Sequence, residues 1–232
     1  MNEKVSVFQF EIRYDHILNF SQIARKILAP FVRLSQSIKI ENQNTVEERI
    51  VLNFEEEDYL IIVNWDRILI KGQNSLKPFI SNNSPIQMPF LAILERLKEL
   101  EEFGSIKNVL FATTYIKKFE IKKEELFSKF SEKYLKSETS NIMDTPNDLS
   151  VSLEDRDDNH ETTVAFGPYN GISDLARRTI KPINFDTLED ANFYGIMLEY
   201  KHGYSTSSIT FEDFRKLTKI SNKIFEKSWK IL

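Results

Sequence analysis

Four short runs rich in Ile and Val, at 37–41, 47–54, 59–65 and 67–71, follow one another with only a few residues between them. Parallel strands need a crossover of a dozen or more residues to return to the same edge, and these gaps leave no room for one. The spacing therefore predicts three or four antiparallel strands joined by tight turns. Glu55-Glu56-Glu57-Asp58 then forms a hairpin tip, and Asp66 lies in the next turn.

What surrounds this block repeats its ingredients. Val5, Val7, Phe8, Phe10, Ile12 and Tyr14 alternate with polar residues over 4–14, the period of a half-buried strand. Phe20, Ile23, Ala24, Ile27 and Leu28 recur at helical spacing, with Pro30 as the expected end of that helix. A second helix is announced by Pro85 or Pro89, runs through Phe90, Ile93, Leu94, Leu97 and Leu100, and stops at Gly104. The order then restarts. Residues 109–119 read as a strand and 124–134 as an amphipathic helix through Leu126, Phe127, Phe130 and Tyr134. A hairpin of 149–154 and 161–166 has the polar tip 155–160, and the stretch 168–190 is poorly periodic. A last strand at 193–200 leads through 203–208 to a terminal helix, with Thr210 as N-cap and Phe214, Leu217, Ile220 and Ile224 as its buried stripe.

Ile23 and Ile27 fall opposite Leu126 and Phe130 at a constant offset of 103, which suggests an internal duplication of pattern. The expected fold is α+β: two tandem strand-helix-strands-helix halves, 1–104 and 105–232, forming one compact unit. Their sheet would be curved and antiparallel, with the helices on one face.

Composition narrows the chemistry. The chain of 232 residues has six glycines, where average usage of about 7% would give roughly sixteen. Neither GxGxxG nor GxxxxGK[ST] occurs, so there is no Gly-rich phosphate loop. Absence of cysteine removes disulfides, thiolate nucleophiles and Cys-rich zinc sites. Only His16, His160 and His202 are available as imidazole ligands. We expect no cofactor and no metal. The opening Met1-Asn2-Glu3-Lys4 lacks a basic region followed by a long apolar stretch, and the longest apolar run is 59–63. The expectation is a cytoplasmic protein that does not enter a membrane. Hydrophobic residues at 41% suffice for a core, and a net charge of −4 does not attract polyanions globally.

Two resemblances arise. The order strand, helix, strands, helix, given twice, is similar to the duplicated TATA-box-binding-protein fold, a saddle-like topology reused by unrelated proteins. More locally, Phe8-Gln9-Phe10-Glu11-Ile12-Arg13-Tyr14, Thr114-Tyr115-Ile116-Lys117-Lys118-Phe119-Glu120-Ile121 and Glu199-Tyr200-Lys201-His202 resemble a sporadically distributed bacterial family of uncharacterised function. Thr114 and Lys117 stand where that family tends to have arginine and asparagine. The resemblance implies no activity; the family's patchy occurrence, often beside mobile or defence-related genes, implies such a context.

Candidate sites are few. Asp155-x-Asp157-x-Asn159 supplies the first three positions of a calcium loop, but His160 and Phe166 occupy the required Gly and Glu positions, so it reads as a solvated hairpin tip. Asp186 or Asp190, followed by 193–198 and then Glu199-Tyr200-Lys201, imitates the Asp…Glu-x-Lys arrangement of metal-dependent nucleases, where two carboxylates hold a divalent ion and the lysine assists the water. His202 lies near Ser205, Ser207 and Ser208, with no carboxylate placed by spacing to orient it. The terminal helix carries Arg215, Lys216, Lys219, Lys223, Lys227 and Lys230 against three acids, +3 beside a remainder of −7, and could track phosphates or an acidic partner. Trp65 and the cluster Phe166-Gly167-Pro168-Tyr169-Asn170-Gly171 set aromatic rings beside turn residues, and 168–190 is long for a connection.

The reading that follows is a binding protein acting without chemistry, with a protein as its partner. Nucleic-acid binding through the terminal helix or the sheet is the alternative, and a metal-dependent nuclease built on Asp186, Asp190, Glu199 and Lys201 is the third.

Overall fold

A computed structural model describes residues 4–135, 148–188 and 192–229. The chain forms β1 (Lys4–Tyr14), α1 (Phe20–Val32), β2 (Ser37–Glu41), β3 (Arg49–Phe54), β4 (Tyr59–Asn64), β5 (Arg67–Asn74), α2 (Ala92–Lys98), β6 (Ile106–Lys118) and α3 (Lys123–Tyr134). It continues with β7 (Val151–Arg156), β8 (His160–Asn170), α4 (Ile172–Ala176), β9 (Tyr194–Ser205) and α5 (Phe211–Trp229). The strands make one antiparallel sheet of nine in the order β2-β3-β4-β5-β1-β6-β9-β8-β7. The mixed α+β class and the tight meander β2 to β5 are as the spacing predicts. β1 and β6 pair at the centre, and a meander runs outward from each.

Alternation along β1 decides the two sides of the sheet. Phe8, Phe10, Ile12 and Tyr14 point into the main core, together with Val109, Phe111 and Tyr115 of β6, Ile68 and Ile70 of β5, and Leu198 and Tyr200 of β9. Each of these buries an apolar side chain worth about 1.5–3 kcal/mol when fully removed from water. Helices α1, α2, α3 and α5 cover this side through Ala24 and Ile27, Ile93 and Leu94, Leu126 and Phe130, and Phe214 and Phe225. Gly72 has a packing duty here, because a Cβ would stand 2.2 Å from Phe8 Cε1. The ring lies directly on its backbone.

Several expectations need correction. Helix α1 does not end at Pro30 but runs to Val32: the proline removes one bond of the ladder, and the burial of Phe31 beyond it offsets that loss. The second helix is shorter than 85–104: a turn broken by extended backbone at Met88 precedes α2, and a short turn over Glu101–Phe103 follows it. On α5, Ile220 is 48% exposed, and the buried stripe is Phe214, Leu217, Thr218, Ser221, Phe225 and Ser228. Strands β8 and β9 are longer than predicted, taking in 168–170 and 203–205, and β7 lies two residues further along the chain than 149–154. The helices do not all lie on one face. Leu175 of α4, with Ile180 and Leu188 after it, packs on the opposite side of the sheet against Val7, Ala112, Ile116 and Met197. No described helix is long and apolar enough to cross a membrane.

Candidate binding face of the sheet

The side of the sheet away from the four helices carries the in-between residues of each strand. Directly opposed residues share a face, so Gln9 lies in one row with Lys71 on β5 and with Ala112, Lys201 and Thr163 across β6, β9 and β8. Val7 lies in the next row with Gln73, Thr114, Glu199 and Ala165.

Residues 171–188 form a strap over one end of this face. Its apolar side chains pack in the second, smaller core, and its far end is tied down chiefly by Gln73, which is 2% exposed. The Gln73 Oε1 accepts from the amides of Ile183 and Asn184 at 2.9 and 3.1 Å. Its Nε2 donates to Asn184 O at 3.1 Å and to Thr187 Oγ1 at 2.6 Å. Asn74 and Asp58 extend the tie through Thr187 O and Thr187 Oγ1.

Beyond the strap the face is polar and charged. Glu11, 2% exposed, accepts from Arg13 Nε at 2.6 Å and from Gln9 Nε2 at 2.9 Å, with Arg67 Nη1 3.6 Å away. Covered by these side chains, the carboxylate is compensated where it is buried. Burial holds the Lys71 ammonium below its ordinary value; the Arg49 charge adds to this and Glu11 opposes it. Toward the edge, Glu41 receives both Lys39 at 2.6 Å and Arg49, and those hydrogen bonds lower its carboxyl below the usual range.

Where the strap meets the sheet lies a pocket of about 80 Å³, with Thr114, Thr163, Glu199 and Lys201 among its lining and Thr179 and Ile180 of the strap against it. Two members of the nuclease-like set, Glu199 and Lys201, are therefore brought together on one strand and one face. Glu199 is already engaged by Arg178 of the strap, Nη1 to Oε2 at 3.5 Å. Asp186 is exposed on the strap, in the segment held by Gln73, and Asp190 lies outside the described residues. Among the described residues no three His, Asp or Glu side chains are grouped so as to hold a metal ion.

The basic residues of α5 occupy the other side of the molecule, because α5 packs on the main core. Arg215 is turned back onto its own helix, bonded to Glu212 at 3.1 Å and lying over the Phe211 ring at 5.7 Å. Lys216 approaches Asp213 at 3.9 Å. Lys219, Lys223 and Lys227 are exposed with no carboxylate within ion-pair distance among the described residues, and Lys230 lies outside them. Terminal helix and open sheet face are thus separate surfaces.

The remaining candidates have local roles. Asp157 accepts the amides of Asn159 and His160 at 2.7 and 2.9 Å, closing the β7–β8 turn, and these bonds lower its carboxyl below the usual range. His160 Nδ1 lies 2.7 Å from Asp157, and His202 Nδ1 lies 2.8 Å from Thr162 Oγ1. Trp65 packs against the core, with the His16 ring tilted against it at 4.1 Å.

Sequence reasoning missed the pocket's most unusual member. Thr114 is fully buried and its Oγ1 has no hydrogen-bond partner. A hydroxyl in a strand carries no sequence signal of this kind. No protein-family profile and no curated protein sequence matches the chain.

Proposed function

We propose that this is a non-catalytic binding protein that takes a protein partner by strand addition at β2. One observation carries the reading. Among the described residues strand β2 is the end of the sheet, paired only with β3, and it is exposed along most of its length. Its Ile38 and Ile40 stand on the same side as Leu52 and Ile50 of the main core, yet are 41% and 38% exposed. The helix layer stops short of them. Val32 and Leu34, also exposed, follow from the end of α1 beside this edge. An edge with free backbone donors and acceptors, and apolar side chains on one side, is what an added strand uses: the ladder gives affinity, and pockets for alternate side chains give selectivity. Such apolar side chains would contribute little to gripping a phosphate backbone.

The same reading treats 1–104 and 105–232 as copies of one ancestral unit, similar to the TATA-box-binding-protein topology. An offset of 103 carries β1 onto 107–117 and α1 onto 123–135, against β6 at Ile106–Lys118 and α3 at Lys123–Tyr134. Under that offset Gln9, the midpoint of β1, corresponds to Ala112, the residue it pairs with. A twofold relation between the halves requires one such self-paired position. The counterpart of β2 falls at 140–144, outside the described residues.

The test is capture from a lysate of the organism that encodes the protein. A protein retained by the wild type is expected to be lost when Ile38→Asp and Ile40→Lys are combined, and kept when Lys219, Lys223 and Lys227 are changed to Glu. Retention by the edge variant would overturn the site, and loss with the lysine variant alone would move it to α5.

A further inference from the structure

We propose that the partner taken at β2 is a second copy of this chain, the two β2 strands pairing antiparallel about a twofold axis at Ile40. The inference rests on β2 being a docking edge and names what docks there. A twofold axis normal to the sheet sets one residue against itself and its neighbours against each other in reverse order, and directly opposed side chains share a face. With the axis at Ile40, the two Ile40 side chains meet, and Lys39 of each copy stands opposite Glu41 of the other. Lys39 and Glu41 already lie together on the open side of their own strand, Nζ to Oε1 at 2.6 Å, and Arg49 of β3 backs each Glu41. The four charges around the axis therefore alternate in sign both along and across the strands. Moving the axis to Lys39 sets lysine against lysine, which is unfavourable.

The other side of the strand supplies the apolar part. Ile38 and Ile40, with Val32 and Leu34 beside the edge, are exposed in the single chain, and the axis sets the two groups against each other where neither helix layer reaches. Removing that surface from water favours association, and the free backbone groups of both edges pair in the same step. The far end of the sheet does not fit itself in this way. Strand β7 and the turn after it carry Glu154, Asp155, Asp157 and Asp158 against Arg156, so two copies of β7 would bring like charges together. Pairing β2 of one copy with β7 of the next would leave an edge free at each end and grow an open filament, whereas β2 with β2 closes at two copies.

Sedimentation of the purified protein over a dilution series tests this, with a dimer expected to fall to monomer as the protein is diluted. Lys39→Glu alone and Glu41→Lys alone should each weaken the dimer by roughly tenfold, because each gives an edge of one sign and the axis applies the change twice. Mixing these two variants should restore a dimer containing one of each. The chain has no cysteine, so Ile40→Cys reports the register. Its two Cβ atoms would face each other at about 4.5–5.5 Å, near the span of a disulfide, and mild oxidation should link the copies, whereas Ile38→Cys should stay unlinked. A monomer at every concentration would overturn the second copy as partner, yet leave β2 as an edge for a different protein, which the lysate capture decides separately. A dimer unaffected by the two charge changes, or by Ile38→Asp combined with Ile40→Lys, would overturn the interface. Linking through Ile38→Cys in place of Ile40→Cys would overturn the axis.

Discussion

His202 illustrates how a single side chain couples this fold to pH. It is half-buried on β9, hydrogen-bonded to Thr162, with its ring 5.9 Å from that of His160. Burial first, and then the charge of His160, lower its pKa from the ordinary value. A histidine whose folded pKa is depressed binds its proton more readily when unfolded, so stability rises with pH through its titration. The contribution is complete above the unfolded value of about 6.5 and is lost as pH falls below it toward the folded pKa. Asp15, Glu41 and Asp157, whose carboxyls are lowered by their hydrogen bonds, act in the same direction, but only below the ordinary carboxylate range. The melting temperature should therefore decline between about pH 7.5 and 5.5, and His202→Gln should flatten that decline while leaving the drop below about pH 4 in place. An identical slope in the variant would assign the neutral-range dependence elsewhere.

Among the elements, the strap has its far end fastened chiefly through one side chain. Gln73 supplies two acceptor and two donor contacts to Ile183, Asn184 and Thr187, across a sequence distance of 110 residues and more. Gln73→Met keeps the volume and removes all four, leaving the amides of half-buried Ile183 and exposed Asn184 without their partner at a cost of about 1–3 kcal/mol. Amides of 180–188 should then exchange hydrogen faster than those of β5 and β1, which keep their ladder; uniform exchange across both would show that the strap is not a separate unit. The same geometry explains what could and could not be read beforehand. Helices α1 and α3 show plainly in the sequence because each has one wet side and one dry side; β1 shows through Phe8, Phe10, Ile12 and Tyr14 at every second position, and β6, buried on both faces over 111–116, shows as a run and not as a period. Strap residues Leu175, Ile180 and Leu188 keep no period, since their partners Val7, Ala112 and Met197 lie on distant strands. On α5 the buried Thr218, Ser221 and Ser228 look like surface residues in the sequence. Their hydroxyls instead bond back to the carbonyls of Phe214, Thr218 and Phe225, and Ser221 also meets the Tyr115 hydroxyl at 2.7 Å. The stripe therefore shifts and leaves Ile220 outside. At the pocket, Glu199 and Lys201 were legible as charges two apart on a strand, whereas Thr114 became distinctive only once its neighbours were in place.

The whole molecule is knitted by aromatic contacts that ignore the boundary between segments 1–104 and 105–232. Phe214 of α5 lies 6.0 Å from Phe8, 5.1 Å from Phe10 and 5.8 Å from Phe111, in tilted and edge-on geometries that add to their burial. A helix from the last part of the chain thus packs on the first strand, and the central β1–β6 pairing runs through eleven residues of β1. Neither segment can close its core without the other, even if both descend from one unit. Phe214→Ala should cost about 3–5 kcal/mol, the range for truncating a fully buried phenylalanine. The loss is expected to be global, so the slowest-exchanging amides of β4, far out in the first meander, should lose as much protection as those of β8 in the second. If the β4 amides kept wild-type protection while those of β8 lost it, the halves would unfold independently, and the shared aromatic cluster would be a contact between two cores instead of the centre of one.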